Sequence, residues 1–265
     1  MMYLSLKEIQ CEEFKILQDF DTFCRDNSLR YSLDGGTLLG AVRHKGFIPW
    51  DDDIDVCMPR PDYERFLRIA ESLPGKYSVV TMSNSEWPQP FCKIQNTEIR
   101  AQEPNLVGIM EEYLWIDIFP FDGFIEDPRL FSKAYHAIRK ATIVAARFTY
   151  GPDASASHFK RIMKYALLHL PGKRLLVDKA KEAIEHEVSK LPYAESTRVF
   201  CYANQFENMV VDRNEFEQSV LLPFEEGLFP CMSCWDTILQ LHYGDYMQIP
   251  KESERVVHHM KCWRV

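Results

Sequence analysis

Two groups of residues in the first sixty positions are of types that do chemistry. One is Asp51-Asp52-Asp53-Ile54-Asp55, which runs into Val56-Cys57-Met58. In an extended segment side chains alternate, so Asp51, Asp53 and Asp55 share a face and Asp52 takes the other. Carboxylates converging on one face repel, and burying them costs free energy unless a cation answers them. Oxygen donors suit Mg²⁺ or Mn²⁺, and Mg²⁺ commonly takes one or two carboxylates plus substrate phosphates. A solvated acidic turn is the ordinary alternative. The apolar run that Asp53 and Asp55 open favours metal binding instead.

The other group is Gly35-Gly36-Thr37, between the apolar run ending at Leu33 and a helical pattern. Glycines permit positive φ and close backbone approach. The helix start behind them offers unpaired N–H groups and a positive dipole end to a phosphate. Thr37 adds a hydroxyl. A plain turn is what most Gly-Gly pairs make. Arg43 and Lys45 lie between the two groups and could neutralise phosphate charge, or be ordinary surface cations. A phosphate cradle followed by a divalent-metal pair gives the parts of a phosphoryl or nucleotidyl transfer site.

The elements that position these residues follow from periodicity. Helices are expected over 4–27, 37–44 and 62–73, and near 235–243. Strands are expected over 29–33, 54–58, 77–82, 91–94 and 114–119. From 128 to about 188 the texture is helical, broken by Gly151-Pro152 and Pro171-Gly172. The order implies an α/β or α+β chain with one sheet in the first half, of which an α+β mixed sheet flanked by helices is the expected form. The expected organisation is a catalytic core over 1–127, a helical insertion or second lobe over 128–190, and a part completing the domain over 191–265.

The chain has 265 residues, 46% hydrophobic and 26% charged, which is globular composition. Net charge −8 and a pI near 5.5 argue against a general nucleic-acid binder. The charge is uneven. Segment 128–181 carries twelve Lys/Arg against two acids, +10, leaving −18 elsewhere. This basic stretch is either a docking surface or a set of solvated helix faces. Within it, 159–170 is amphipathic and cationic, a pattern that meets anionic membranes or glycans, although such helices more often pack on their own core. The start of the chain lacks a signal-peptide pattern, and no apolar run is long enough to span a membrane. Eight scattered cysteines fit reduced thiols in a cytoplasmic protein, peripheral to the membrane if the basic segment docks there. Cys231 and Cys234 form half a zinc pattern, with Cys201, Cys262, His258 or His259 as further ligands, against the default of buried thiols.

The run Gly35-Gly36-Thr37-Leu38-Leu39-Gly40, then Arg43, Gly46, Ile48-Pro49-Trp50-Asp51-Asp52-Asp53 and Asp55, resembles the LicD family of the nucleotidyltransferase-fold superfamily. Tyr243-Gly244-Asp245-Tyr246 is similar to an element that often ends the family's domain. The resemblance implies a nucleotidyltransferase-like core. It implies transfer of phosphocholine from CDP-choline, or a similar alcohol phosphate from another CDP-alcohol, to a sugar hydroxyl. The acceptor would be a surface glycan such as lipopolysaccharide or teichoic acid, or a lipid-linked precursor, with CMP leaving. It implies Mg²⁺ or Mn²⁺ held by Asp53 and Asp55, and a third carboxylate from a later strand. Asp117, within Leu114-Trp115-Ile116-Asp117-Ile118, is the candidate, with Asp51 competing and Asp122 poorer. Asp51 or Asp117 would accept the acceptor's proton, and Gly35, Gly36 and Thr37 would bind phosphate, helped by Arg43 and Lys45. Lys93 would reach the nucleotide or phosphates, unless it is a snorkelling edge lysine. A choline cation would need an aromatic cage, for which Trp50, Trp87, Tyr113, Trp115, Tyr243 and Tyr246 are available. The alternatives are a nucleotidyltransferase using a nucleoside triphosphate and a non-catalytic binding protein with the same fold.

Overall fold

The computed structural model describes residues 2–102, 112–152, 157–191, 193–203, 209–255 and 260–265. Ser5 opens α1 (Leu6–Asp26) with a reciprocal capping box to Glu8. The helix buries Ile9, Ile16, Leu17, Phe20 and Phe23, one stripe at helical spacing, and packs on the sheet. In chain order there follow β1 (Ser32–Leu33), α2 (Gly35–Arg43), β2 (Asp55–Pro59), α3 (Arg60–Ile69), β3 (Tyr77–Val80), β4 (Cys92–Gln102), β5 (Glu112–Gly123) and α4 (Pro128–Thr149). After these come α5 (His158–Leu168), α6 (Lys173–Val188), β6 (Arg198–Phe200), β7 (Val210–Asp212), α7 (Arg213–Glu217), β8 (Ser219–Phe224), β9 (Gly227–Met232), α8 (Trp235–Tyr243) and β10 (Lys261–Arg264).

The main sheet is mixed, in the order β1-β2-β5-β4-β10, with β3 also on β4 and with β6 and β7 extending from β5. Only β2 and β5 run parallel among the described pairs. The expectation of one sheet confined to the first half is corrected, because β6, β7 and β10 belong to the same sheet. Lys261-Cys262-Trp263-Arg264 is too short to carry a period of its own. Its strand form comes from pairing with Ile99–Gln102 of β4, a contact between distant parts of the chain. The strands β8 and β9 form a separate hairpin.

Two apolar clusters hold the chain together. The larger joins α1, α2, the main sheet, the β8–β9 hairpin and α8. The smaller lies between α4 and α6 and takes in Leu191, Phe200 and Tyr202. Helix α5 belongs to neither, and Leu168 is its one buried residue.

Candidate functional site

The first strand-to-helix passage places a helix start against the acidic segment. The N–H of Asp34 donates to the Asp55 carbonyl at 3.0 Å, and Asp34 is the N-cap of α2. Gly35 and Gly36 are therefore the first two residues of the helix, whereas the sequence reading starts the helix at Thr37 and leaves them in a turn. Their lack of a side chain has a local cause. A Cβ on Gly35, which sits at φ +51°, would come within 2.6 Å of Asp55 Oδ2. A Cβ on Gly36 would come within 2.6 Å of Asp51 Oδ2. The first turn of α2, with its positive dipole end, is thus pressed against two carboxylates.

Thr37 is buried, and its hydroxyl accepts from the Asp55 N–H at 2.9 Å, fixing the head of β2. Asp51, Asp53 and Asp55 all line one open cleft of about 450 Å³. Asp52 points to the other side, where its carboxylate accepts from the Met260 N–H at 3.1 Å. The buried Gln10 side chain donates to the Asp51 carbonyl at 2.8 Å. The acidic segment is thereby clamped between α1 and the residue before β10.

Asp117 enters from β5. It is the register partner of Asp55 on the parallel pair and of Lys93 on the antiparallel one, so Asp55, Asp117 and Lys93 form a row across three strands. Lys93 is almost fully buried, with its ammonium 3.6 Å from the Trp115 ring centroid, 4.1 Å from that of Trp87 and 3.9 Å from Asp117 Oδ1. The snorkelling account of Lys93 is corrected, because two indole faces and a carboxylate replace the water that a snorkelling lysine seeks. Asp122 is held by both nitrogens of a bidentate Arg60 fork at 2.6 and 2.8 Å, a structural pair set apart from the cleft.

The opposite wall of the cleft comes from the end of α8 and the loop beyond it: Tyr243, Asp245, Tyr246, Gln248, Glu254 and Arg255. Arg43 lines the cleft and ties this wall down, donating to the Tyr246 carbonyl at 2.8 Å. The Arg255 guanidinium lies 4.1 Å from the Trp50 ring centroid, closing the rim. Lys45 does not line the cleft. It is exposed, and its ammonium donates to the Val42 carbonyl at 3.0 Å.

Desolvation, then the charges of Asp53, Asp117, Asp34 and Asp51, push the Asp55 carboxyl well above the usual carboxylate range. Burial pushes Asp34 up to about 6. Burial and the charges of Asp55, Asp34, Asp51 and Asp53 raise the Tyr243 phenol. So many carboxylates opposing one another's ionisation make a site that a divalent cation would relieve. Among the described residues no three His, Cys, Asp or Glu side chains form a ready-made metal cage. Asp53 and Asp55 in the cleft are oxygen donors of the kind of which Mg²⁺ takes one or two, completing its shell with substrate oxygens and water.

Away from the cleft, burial pushes the thiols of Cys231 and Cys234 up to about 12. His258 and His259 lie outside the described residues. The sequence reading passed over Asp34, Glu254 and Arg255. Asp34 had a signal, as an acid at the N-cap position directly before Gly-Gly. Glu254 and Arg255 had none, since they reach the cleft only through the path of the loop after α8.

Comparison with known proteins adds descent to geometry. A family model described as LicD/FKTN/FKRP, nucleotidyltransferase domain, matches residues 28–149, a span holding every candidate residue named above from Asp34 to Asp117. The chain is 28% identical to the lipopolysaccharide cholinephosphotransferase LicD of Haemophilus influenzae, over 98% of each protein. It is 31% identical to the human ribitol 5-phosphate transferase FKRP over 99 residues, which are 34% of this chain and 20% of that one. Residues 28–149 are thus similar to the nucleotidyltransferase domain of the LicD family, and nearly the whole chain is similar to one of its phosphotransferases.

Proposed function

We propose that the cleft transfers phosphocholine, or a similar alcohol phosphate, from a CDP-alcohol to a sugar hydroxyl of a cell-surface glycan or its precursor, releasing CMP. The observation that carries this reading is the convergence of Asp51, Asp53 and Asp55 on one cleft, against the glycine-opened start of α2. The match to a lipopolysaccharide cholinephosphotransferase along nearly the whole chain supports the choice of cargo and acceptor.

Asp53 and Asp55 would hold Mg²⁺ or Mn²⁺, with Asp117 as the neighbouring third carboxylate, and the bound ion would supply positive charge to the diphosphate and to the departing CMP. The opening N–H groups of α2 and the Arg43 guanidinium bind phosphate oxygens. The acceptor oxygen forms a bond to the phosphorus bearing the small alcohol, and the bond from that phosphorus to the bridging oxygen of CMP breaks. Asp51 accepts the hydroxyl proton. It lines the cleft, whereas Asp117 lies beside the Lys93 ammonium and is the poorer base. Trp50, Tyr243 and Tyr246, with Asp245 and Glu254 nearby, suit a cationic alcohol better than a neutral polyol.

The test is incubation with a panel of CDP-alcohols and Mg²⁺, following CMP. CMP release with CDP-choline foremost is expected. The family model's description as a nucleotidyltransferase domain favours a second reading, use of a nucleoside triphosphate. Pyrophosphate from CTP, with no CMP from any CDP-alcohol, would replace the first reading by the second.

A further inference from the structure

Helix α5 presents its apolar residues outward. Phe159, Ile162 and Met163 are 71%, 55% and 58% exposed, and with Ala166 they recur at the spacing of one helix face. Leu168, the one buried residue, lies two positions past Ala166 and so on the opposite face. The exposed apolar series continues beyond the helix through Leu170, then Leu175 and Leu176 in the first turn of α6. An eleven-residue helix anchored by one leucine is marginal in water by itself. A contiguous apolar surface of this kind marks an interaction site.

The charge on the same stretch restricts what covers it. From 157 to 177 there are five Lys/Arg and no Asp or Glu, in a chain whose net charge is −8. A second copy docking the same face would set these like charges against each other. A soluble anionic glycan would answer the charge and leave Phe159, Ile162 and Met163 in water. An anionic bilayer surface answers both, with apolar side chains entering the acyl boundary and lysines and arginines at headgroup level.

We propose that α5 and the start of α6 dock the protein on the surface of an anionic membrane. No helix among the described residues is long and apolar enough to cross one. The contact is interfacial rather than transmembrane. This goes beyond the catalytic reading and does not depend on it.

The test uses the full chain and sedimentation with phosphatidylcholine vesicles, with and without an equal share of phosphatidylglycerol. Binding to the phosphatidylglycerol vesicles is expected at roughly tenfold or more above the neutral ones, weakening as salt rises. The double variant Phe159→Glu, Ile162→Glu should lose that binding roughly tenfold while keeping the wild-type far-UV circular dichroism and Tm. A second variant, Lys160→Gln with Arg174→Gln, leaves the apolar face intact and should lose most of the salt-dependent part. Absence of wild-type binding to anionic vesicles overturns the proposal, as does equal binding to neutral ones. It is also overturned if both variants bind like the wild type, or if self-association abolished by the first variant replaces vesicle binding. None of these readouts uses CMP release, so failure here and failure of the catalytic reading are separable.

Discussion

Asp55 of β2 and Asp117 of β5 are register partners on the parallel pair at the centre of the sheet, and Lys93 of β4 stands opposite Asp117 on the other side. This row explains why an acid can sit inside the apolar stretch Leu114–Ile118. Asp117 faces a buried cation on one flank and the Asp55 carboxylate on the other. Asp55 has no such cation in the row, and burial and its acidic neighbours push its carboxyl up.

Replacing Asp53 or Asp55 by Asn should therefore separate activity from stability. Each change should lower kcat by about 10²–10³ or more, the scale of losing one charge-stabilising group from an active site. Neither should lower the Tm in metal-free buffer, because removing one of several repelling carboxylates relieves the fold. Retention of more than a few per cent of activity in both variants would remove their metal role.

The glycines make a different demand. Gly35→Ala adds a Cβ at φ +51° and drives it into Asp55 Oδ2. Strain of about 1–2 kcal/mol is expected, or a Tm lower by about 2–8 °C in a chain of this size. Gly36→Ala meets Asp51 Oδ2 without the positive φ. It should cost less stability and still depress kcat, since Asp51 must move. A Gly36→Ala enzyme with unchanged kcat and KM would show that neither Asp51 nor this turn touches substrate.

Glu13 gives a prediction in pH. It lies on α1, is fully buried, and neither carboxyl oxygen has a hydrogen-bond partner among the described residues. Burial, then the charges of Asp53, Asp52, Asp51 and Asp117, push its carboxyl well above the usual range. The folded protein thus keeps the Glu13 proton at pH values where the unfolded chain releases it. Stability falls as pH rises above the ordinary glutamate value of about 4.3, until the folded pKa is reached. Glu13→Gln removes this loss. In metal-free buffer the variant's Tm should exceed the wild type's at pH 7 and converge with it near pH 4. A gap that is constant with pH, or reversed, would show Glu13 ionised in the fold.

Much of the cleft could be read from the chain because its chemistry is local. Asp51, Asp53 and Asp55 lie within five residues, and alternation alone puts them on one face and Asp52 on the other. Helix α8 is likewise set by its own period and found at the expected place, Trp235–Tyr243. What escaped notice depends on distant contacts. The wall bearing Glu254 and Arg255 reaches Trp50 by tertiary folding alone, and the strand at 261–264 exists because β4 is long enough to pair it. Lys93 is a candidate from the sequence, but its burial is not legible there for a related reason. Nothing within Phe91-Cys92-Lys93-Ile94 shows that Trp87 and Trp115 enclose its ammonium.

That enclosure sets the cost of removing it. Lys93→Met keeps a long side chain between the two indoles while deleting the ammonium 3.9 Å from Asp117. A desolvated cation held between two rings and beside a carboxylate is worth about 2 kcal/mol or more. The expected fall is about 4–8 °C in Tm, with kcat lowered as Asp117 loses its positioning partner. Lys93→Arg should recover part of the Tm, since a guanidinium also stacks on indole, and less of kcat, because its planar fork cannot occupy the ammonium's position. Full activity in Lys93→Met would assign the lysine to the core alone.

The choice of donor has its own signature in stability. A ligand that binds the folded state stabilises it by RT ln(1 + [L]/Kd), about 2.7 kcal/mol at a hundredfold excess over Kd. A cleft shaped for a CDP-alcohol uses Arg43 and the start of α2 for the diphosphate, and its aromatic and acidic wall for the cationic head. CTP offers that wall only a further anionic phosphate, facing Asp245 and Glu254. With Mg²⁺ present, CDP-choline should therefore raise the Tm more than CTP at equal concentration, and CDP-ribitol should fall between them. An equal or larger shift with CTP would turn the acidic wall from a determinant of cargo into a bystander.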